Sequence, residues 1–589
     1  MIIKAARLIL VLMFAVVWVD LPGQDANEIR GWVLNSRSKE PVPFANIFNQ
    51  SSRKGTISNV DGYFRIAVSG PNDTIRISYI GFREQLITLG SNRQPRTIRL
   101  EESMQLLDEV TIRPDDNLKW YELIAQCRKR AAGFDRISQS KAYYELKSFQ
   151  QDRQIELVEG YYNLEASGYE LSDMKLKAGR IALQPFQNRY FVSIESSRAL
   201  LILKLMGSND YFPVNPMELP KAKLKRNFFV SPNRSYVSTD GDSIEILDYR
   251  PRDHSGSFFQ GKIWINRSKM FVERITLNCS RAQQHPFVPL FSSDSIAGVN
   301  LAITKSYRFI DGQPVFNHID FVYVVDYKSR SGKPDEQSYA MKTRAVLYAY
   351  DYGSPFLLPQ FDFFKEETGD YRRIQAMPYN EFFWARNDEY RLNDSLNTNE
   401  VFFKNPNSVT NRTLFDPNSE LGRGLFEHPF TQWSGNRIRF SDLSADTLPA
   451  EGSGGFKSDQ YHLVAKIFVD INTYQDSTNV LTSTMFDPYE SYYHLPLDNQ
   501  AQCFINLYFD LCEIERRELE KQLYLSEKTG VPMAEICNES RKSLEIKKNQ
   551  FLKSVERVTN EREIQKYNAI VLQALGIDNV SLFKEPSGR

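Results

Sequence analysis

The sequence predicts a multidomain α+β protein with an N-terminal antiparallel β-sandwich, a central antiparallel β-rich domain and a C-terminal α-helical domain. Two observations predict it. Apolar residues alternate in short runs from Ile29 to Tyr79 and recur in strand-like runs up to Tyr350, whereas Phe504, Leu507, Leu511 and Ile514 follow the 3,4 spacing of a helix. The 589 residues also exceed what one core sustains, since cores stop growing near 250–300 residues. With 41% hydrophobic and 25% charged residues the chain has the composition of folded protein, and 73 basic against 73 acidic residues remove bulk charge as an argument for a nucleic-acid partner.

Lys4 and Arg7 precede an apolar run of 12 residues, Leu8 to Val19, and Gly23 precedes Gln24. This is the pattern of a secretory signal peptide over 1–23; the run is short for a membrane span, which needs about 20 residues. The predicted compartment is therefore the periplasm or an outer-membrane-associated site. No later stretch reads as a membrane helix, and the chain finishes after a helical region rather than in a last barrel strand, so a C-terminal transmembrane barrel is not expected. Five cysteines follow, Cys127, Cys279, Cys503, Cys512 and Cys537. Cys503 and Cys512 lie nine residues apart on one predicted helix and face opposite sides. Cys512 and Cys537 are offset along a predicted hairpin by far more than a disulfide spans, so buried free thiols are expected.

Residues 24–101 read as the sandwich, with turns at Pro41, Gly55, Asp61-Gly62, Gly70-Pro71 and Gly81. Asp61-Gly62 is a hairpin turn that needs a glycine at positive φ, Gly55 is read the same way, and Tyr79 and Phe82 are read as aromatic core at a strand end. Four pieces in order, Gly31-Trp32-Val33, Pro41 to Ile47, Gly55 to Phe64 and Ile77 to Phe82, resemble the carboxypeptidase-regulatory-like domain, a transthyretin-like sandwich of exported gram-negative envelope proteins. That resemblance implies a passive attached module rather than peptidase activity. The following linker, 102–117, carries Leu106-Leu107-Asp108-Glu109-Val110-Thr111-Ile112, similar to a phrase after this domain in TonB-dependent receptors. The chain has no room for a plug and a barrel of some twenty strands, so at most an accessory role in nutrient uptake follows.

Residues 118–350 are read as a helix to about Phe134 and then a β-rich domain, with strands at Ser243–Leu247, Lys262–Ile265, Phe271–Leu277 and Ile319–Tyr327 and turns at Asp240-Gly241, Gly261, Asp311-Gly312 and Gly332. The run Phe259 to Asn266 followed by Phe271 to Ile275 resembles the half-barrel of periplasmic lipoprotein carriers, although strand, turn, strand with an aromatic suits any antiparallel sheet. Residues 351–455 are read as an irregular aromatic-rich covering segment and linker, and 456–589 as helical throughout, with Gly530 ending one helix, Pro532 opening the next, Asn560 with Glu563 capping the last and Gly576 stopping it.

Motifs for chemistry are absent. The six histidines, His254, His285, His318, His428, His462 and His494, are never closer than 31 residues, so none forms a short zinc motif. There is no Gly-x-Ser-x-Gly, and Ser-x-x-Lys at Ser36–Lys39, Ser51–Lys54 and Ser172–Lys175 is too short a pattern to mark a nucleophile. Glu366-Glu367, Asp108-Glu109 and Glu513 with Glu515 read as solvated charge unless the fold sets a pair across a cleft. No catalytic, cofactor or metal residues are therefore assigned. Lys221, Lys223 and Lys225, with Arg226, form a stripe that in an extended strand lines one face and suits anionic lipid or glycan; an edge-protecting strand face is the plainer reading. The aromatics of 351–390 are read as core, or as a stacking surface for sugar or a partner. The expected function is a non-enzymatic envelope binding or assembly protein with an envelope or outer-membrane partner; the alternatives are a secreted hydrolase with a site assembled in the central domain, and an accessory component of an uptake complex. Histidines gathered with carboxylates in one pocket favour the enzyme.

Overall fold

The computed structural model describes residues 28–583 apart from 53–54, 91–93, 104–117, 187–189, 192, 194–195, 239, 290–291, 330–336, 362–369, 388–397, 412–429, 434–436, 440–460, 475–476, 489, 494–497, 530–531 and 556–559. The signal peptide, the Leu106–Ile112 phrase, Gly332, Glu366-Glu367, His428, His494 and Gly530 thus lie outside the described residues.

The N-terminal module has seven strands, β1 (Glu28–Asn35), β2 (Asn46–Asn49), β3 (Gly55–Ile57), β4 (Tyr63–Ala67), β5 (Thr74–Ser78), β6 (Gln85–Thr88) and β7 (Arg96–Leu100). They form two sheets, β4-β1-β7 and β3-β2-β5-β6, closed on Ile29, Val33, Ile47, Phe64, Ile66, Ile75 and Ile77. One pairing departs from the antiparallel expectation: β1 and β7 run parallel. They approach so closely that a Cβ on Gly31 would lie 2.2 Å from the Arg96 carbonyl oxygen. Gly62 has φ +74°, and a Cβ there would lie 2.4 Å from the Val33 carbonyl oxygen, so the turn needs glycine on two counts. Gly55 does not; it opens β3 without a positive φ.

The centre is an open antiparallel sheet of 11 strands. After helix α1 (Leu118–Ala131) come β8 (Ile137–Gln150), β9 (Arg153–Ser167) and β10 (Glu170–Leu183). Helices α2 (Ser196–Ile202) and α3 (Lys221–Asn227) precede β11 (Phe228–Val237), β12 (Ser243–Pro251), β13 (Gly261–Asn266), β14 (Phe271–Cys279), β15 (Ser295–Ile310), β16 (Gln313–Ser329) and β17 (Gln337–Tyr350). The meander β11 to β17 joins β8 through β17, and β10 carries the two-residue β18 (Val409–Thr410) at its far edge. The predicted turns appear at Gly241 (φ +81°) and Asp311-Gly312 (φ +49° and +85°), whereas Gly261, expected in a turn, stands at the start of strand β13 instead.

The two faces of this sheet bury different chemistry. The inner face carries the largest apolar core, where Trp120 and Ile124 of α1, Leu200 of α2, Leu203, Leu205, Phe212, Met217 and Leu224 of α3 pack on Leu146, Ile263, Ile303, Ile319 and Phe321. Helix α4 (Asp370–Ala376) joins them over β10, where a Cβ on Gly179 would strike Ile374 at 2.3 Å. The outer face is covered by α5 (Glu381–Arg386), α6 (Thr398–Phe403) and the sandwich, through Phe44, Ile57, Tyr143, Tyr161, Tyr348, Phe383 and Trp384.

Beyond 456 the expectation of helix throughout fails. Two long strands, β21 (Ala465–Tyr474) and β22 (Ser477–Phe486), pair antiparallel, flanked by the short β19 (Thr431–Gln432), β20 (Tyr461–His462) and β23 (Tyr492–Tyr493). Their alternation is hidden because Phe468 joins the central core while Val469 and Ile471 pack towards the helices, so both sides are buried. Helices α7 (Asn499–Thr529), α8 (Met533–Ser554), α9 (Glu561–Leu575) and α10 (Asn579–Leu582) follow. Pro532 occupies the N-cap of α8, the Asn560 side chain accepts from the Glu563 amide, and Gly576 ends α9 at φ +75°. All five cysteines are buried and free, as expected.

Candidate functional site

Buried charge on the outer face fixes the ground on which a site can form. Arg180, fully buried, lies between the rings of Trp384 (4.6 Å) and Phe403 (4.8 Å) and donates to Glu159 (2.5 Å) and to Glu400 of α6 (2.7 Å). Glu159 also accepts from the Tyr143 hydroxyl and from Asn399, which donates as well to Glu145. Burial raises the Glu145 carboxyl above the usual carboxylate range, while Lys147 opposes it. The network is packed shut and pins α6 to the sheet; it leaves no room for a substrate.

Beside it lies a cavity of about 380 Å³ between the start of β8, the end of β17, the loop 355–357, α5 and the tip of β21. Lys177 forms its floor. Its ammonium, 1% exposed, donates to Asp470 of β21 (2.5 Å), to the Leu357 carbonyl (2.7 Å) and to the Ile471 carbonyl (3.2 Å). Burial lowers its pKa and Asp470 pulls the other way. Asp470 in turn accepts from Asn380 and Asn472. All three ammonium protons are thus engaged, so Lys177 holds the walls together and has no donor left for a ligand.

The walls differ from the floor. Lys141 pairs with Asp351 at 3.1 Å and lies 4.9 Å from the Phe356 ring. Arg386, at the end of α5, stacks at 3.5 Å on Phe382, and among the described residues no carboxylate pairs with it. Asn387, Asn472 and Thr473 add amides and a hydroxyl, and Tyr474 another ring. This set of rings, amides and cations can bind; the residues lining the cavity include neither histidine nor cysteine. On the inner face an apolar groove of about 60 Å³ lies by Phe191, Phe287, Tyr323, Tyr327 and Met341.

The predicted lysine stripe does not exist. Residues 221–227 form α3, and at 100° per residue Lys221, Lys223 and Lys225 cannot share a face; Leu224 is buried among them, and Lys221 pairs with Glu122 of α1. Helix formation after Pro220, with Leu224 seated in the core, overrides the alternation. The aromatics of 351–390 divide: Phe383 and Trp384 are core, Phe356 and Phe382 line the cavity. Glu513 accepts from Arg516, Arg517 and Thr484, and Glu515 pairs with Lys547 across to α8, so this pair ties helices and hairpin together. Lys177 and Asp470, which build the cavity floor, were missed. No sequence signal singled out Lys177, because β10 also carries Glu170, Asp173, Lys175 and Arg180.

The described histidines do not gather. His254 and His462 are exposed, and no group of three or more His, Cys, Asp or Glu side chains among the described residues is arranged to hold a metal. His318 is wholly buried where the sandwich meets the sheet. Its Nδ1 lies 2.6 Å from the Ser306 hydroxyl, its ring stacks on Phe44 (4.8 Å), and burial with the nearby Arg274 drives its pKa down to about 3. A serine next to a neutral histidine is the start of a nucleophile pair, but Phe44 covers it. Further contacts seal the seam: Arg344 pairs with Asp320 under Phe44, Arg274 donates to the Tyr79 hydroxyl, and Arg234 pairs with Glu102. Tyr79, expected in the sandwich core, therefore faces the sheet as well.

No protein of curated function is significantly similar to this chain in sequence. Among solved structures, the chain is similar to a DUF1329 family protein from Desulfovibrio piger (10% identity, 40% of this chain and 92% of that one, TM-score 0.18). It is also similar to a LolA superfamily protein from Nitrosomonas europaea (15%, 39% and 92%, TM-score 0.16) and to the MucA/MucB complex of Pseudomonas aeruginosa (10%, 40% and 94%, TM-score 0.13). Scores this low carry no argument about function. No helix among the described residues is long and apolar enough to cross a membrane. Residues 29–112 match the family model of the CarboxypepD_reg-like domain, so the sandwich and the segment after it are a domain of that family carried at the N-terminal end of this chain.

Proposed function

We propose that this protein is a non-enzymatic cell-envelope binding protein, exported to the periplasm or held at the outer membrane, whose ligand enters the 380 Å³ cavity of the outer face. The observation that carries the reading is that cavity, with aromatic and amide walls around a lysine whose every donor is already used. The CarboxypepD_reg-like module supports an envelope setting. The inner face, filled by Leu203 to Leu224, serves as scaffold. In this reading the sandwich is the docking module for an envelope or outer-membrane partner.

The test is crosslinking of the tagged mature protein in separated envelope fractions, with retained carbohydrate, lipid and protein identified by mass spectrometry. Thr473, exposed on the cavity rim, permits a blocking substitution. Thr473→Trp is expected to reduce retention at least fivefold with unchanged thermal unfolding. Equal retention by both proteins refutes the cavity as the binding site.

A further inference from the structure

We infer that the outer cavity takes an acidic saccharide, a sugar ring bearing a carboxylate, and that Arg386 on Phe382 is the pair that selects it; this rests on reading the cavity as the ligand site. Charge decides the class. Of the three cations in the lining, Lys141 is matched by Asp351 and Lys177 by Asp470, which leaves Arg386 as the one cation without a carboxylate among the described residues. A neutral or cationic ligand would leave that guanidinium unanswered, and an acyl chain would strip it of water for nothing.

Geometry narrows the class further. The Arg386 guanidinium carbon sits 3.5 Å from the Phe382 ring centroid, and a guanidinium seated over a ring can still offer two parallel N–H donors, the fork that matches a carboxylate. A doubly charged phosphate is a poorer match to one cation whose neighbours are already neutralised. The remaining walls suit a sugar: the Phe356 and Tyr474 rings present flat apolar faces, and Asn387, Asn472 and Thr473 present groups that exchange hydrogen bonds with ring hydroxyls. Leu357, 54% exposed at the lip, adds apolar surface at the entrance.

The experiment is calorimetric titration of the full mature chain with tetragalacturonate and with its methyl ester, which keeps the rings and removes the charge. The acid is expected to bind at least tenfold tighter than the ester. Arg386→Gln should bring the acid down to the ester's affinity, Phe382→Leu should weaken both, and Thr473→Trp should block both. Equal affinity for acid and ester, or a preference that survives Arg386→Gln, overturns the acidic class. Binding of neither sugar overturns it too: if Thr473→Trp still lowers envelope retention, the cavity remains the ligand site with another ligand, and if retention is also unchanged, both readings fail.

Discussion

Lys177 and Lys305 are equally buried in one sheet and differ in everything else. Lys177, reaching the outer face, has a carboxylate and two carbonyls around its ammonium. Lys305, on the inner face and fully buried, reaches one acceptor among the described residues, the Leu203 carbonyl at 2.8 Å, with Glu170 acting on it from further off. The same contrast holds for the faces as wholes. The outer face buries charge in networks that join β-strands, short helices and the C-terminal hairpin; the inner face is held chiefly by apolar packing, into which Lys305 and Glu156 intrude, the latter accepting from Ser148, Ser193 and Tyr371. A buried pair resists removal of either member, whereas an underused buried charge lowers stability merely by being there.

The contrast can be broken most severely at Arg180. Arg180→Met leaves Glu159 buried without its cation and should cost about 4 kcal/mol in denaturant unfolding; a loss below 1 kcal/mol would mean that Glu159 simply takes up a proton. Lys177→Met strands Asp470 and should cost about 3 kcal/mol, read in the same way, with earlier proteolysis of the C-terminal region. In the sandwich, Gly62→Val places a β-branched residue at φ +74° against the Val33 carbonyl and should cost about 2 kcal/mol. An unchanged melting temperature would discard the turn argument.

Acid should act at the seam. The folded state lowers the pKa of His318 from 6.5 to about 3, so its neutral form is the one that fits beneath Phe44. Its contribution is whole above pH 6.5 and is lost as pH falls towards 3, by about 1.4 kcal/mol at pH 5.5. His318→Phe should flatten that part of the stability profile. Lys305→Met is the smallest change and the opposite in sign, a gain of about 1 kcal/mol from removing a charge that one carbonyl cannot satisfy.

How much of this was written in the sequence depended on the range of the interaction. The sandwich, the hairpins at Gly241 and Gly312, and the caps at Pro532, Asn560 and Gly576 are local and were legible, because turn and cap chemistry is decided within a few residues. The lysine run at 221–225 misled because its alternation ignored Leu224, the residue that anchors the helix. The hairpin of β21 and β22 misled because burial on both sides removes the alternation that marks a strand. The cavity was least legible: Phe356 and Phe382 stood out as aromatics, but Lys177 gains its meaning from Asp470, which no spacing rule connects to it.

The separation between Lys177 and Asp470, 293 residues, has a kinetic consequence. Strand β8 pairs with β17, Lys141 opposite Tyr350, so the central sheet cannot close until the whole meander has emerged, and its outer face stays unsealed until β21 arrives. Loop closures of this length make folding slow and leave strand edges exposed meanwhile. The sandwich, whose own core lies wholly within 29–100, can fold first. A chain of this design therefore spends its most vulnerable interval with one finished domain and one open sheet, which is the stage at which a chaperone would have most to hold.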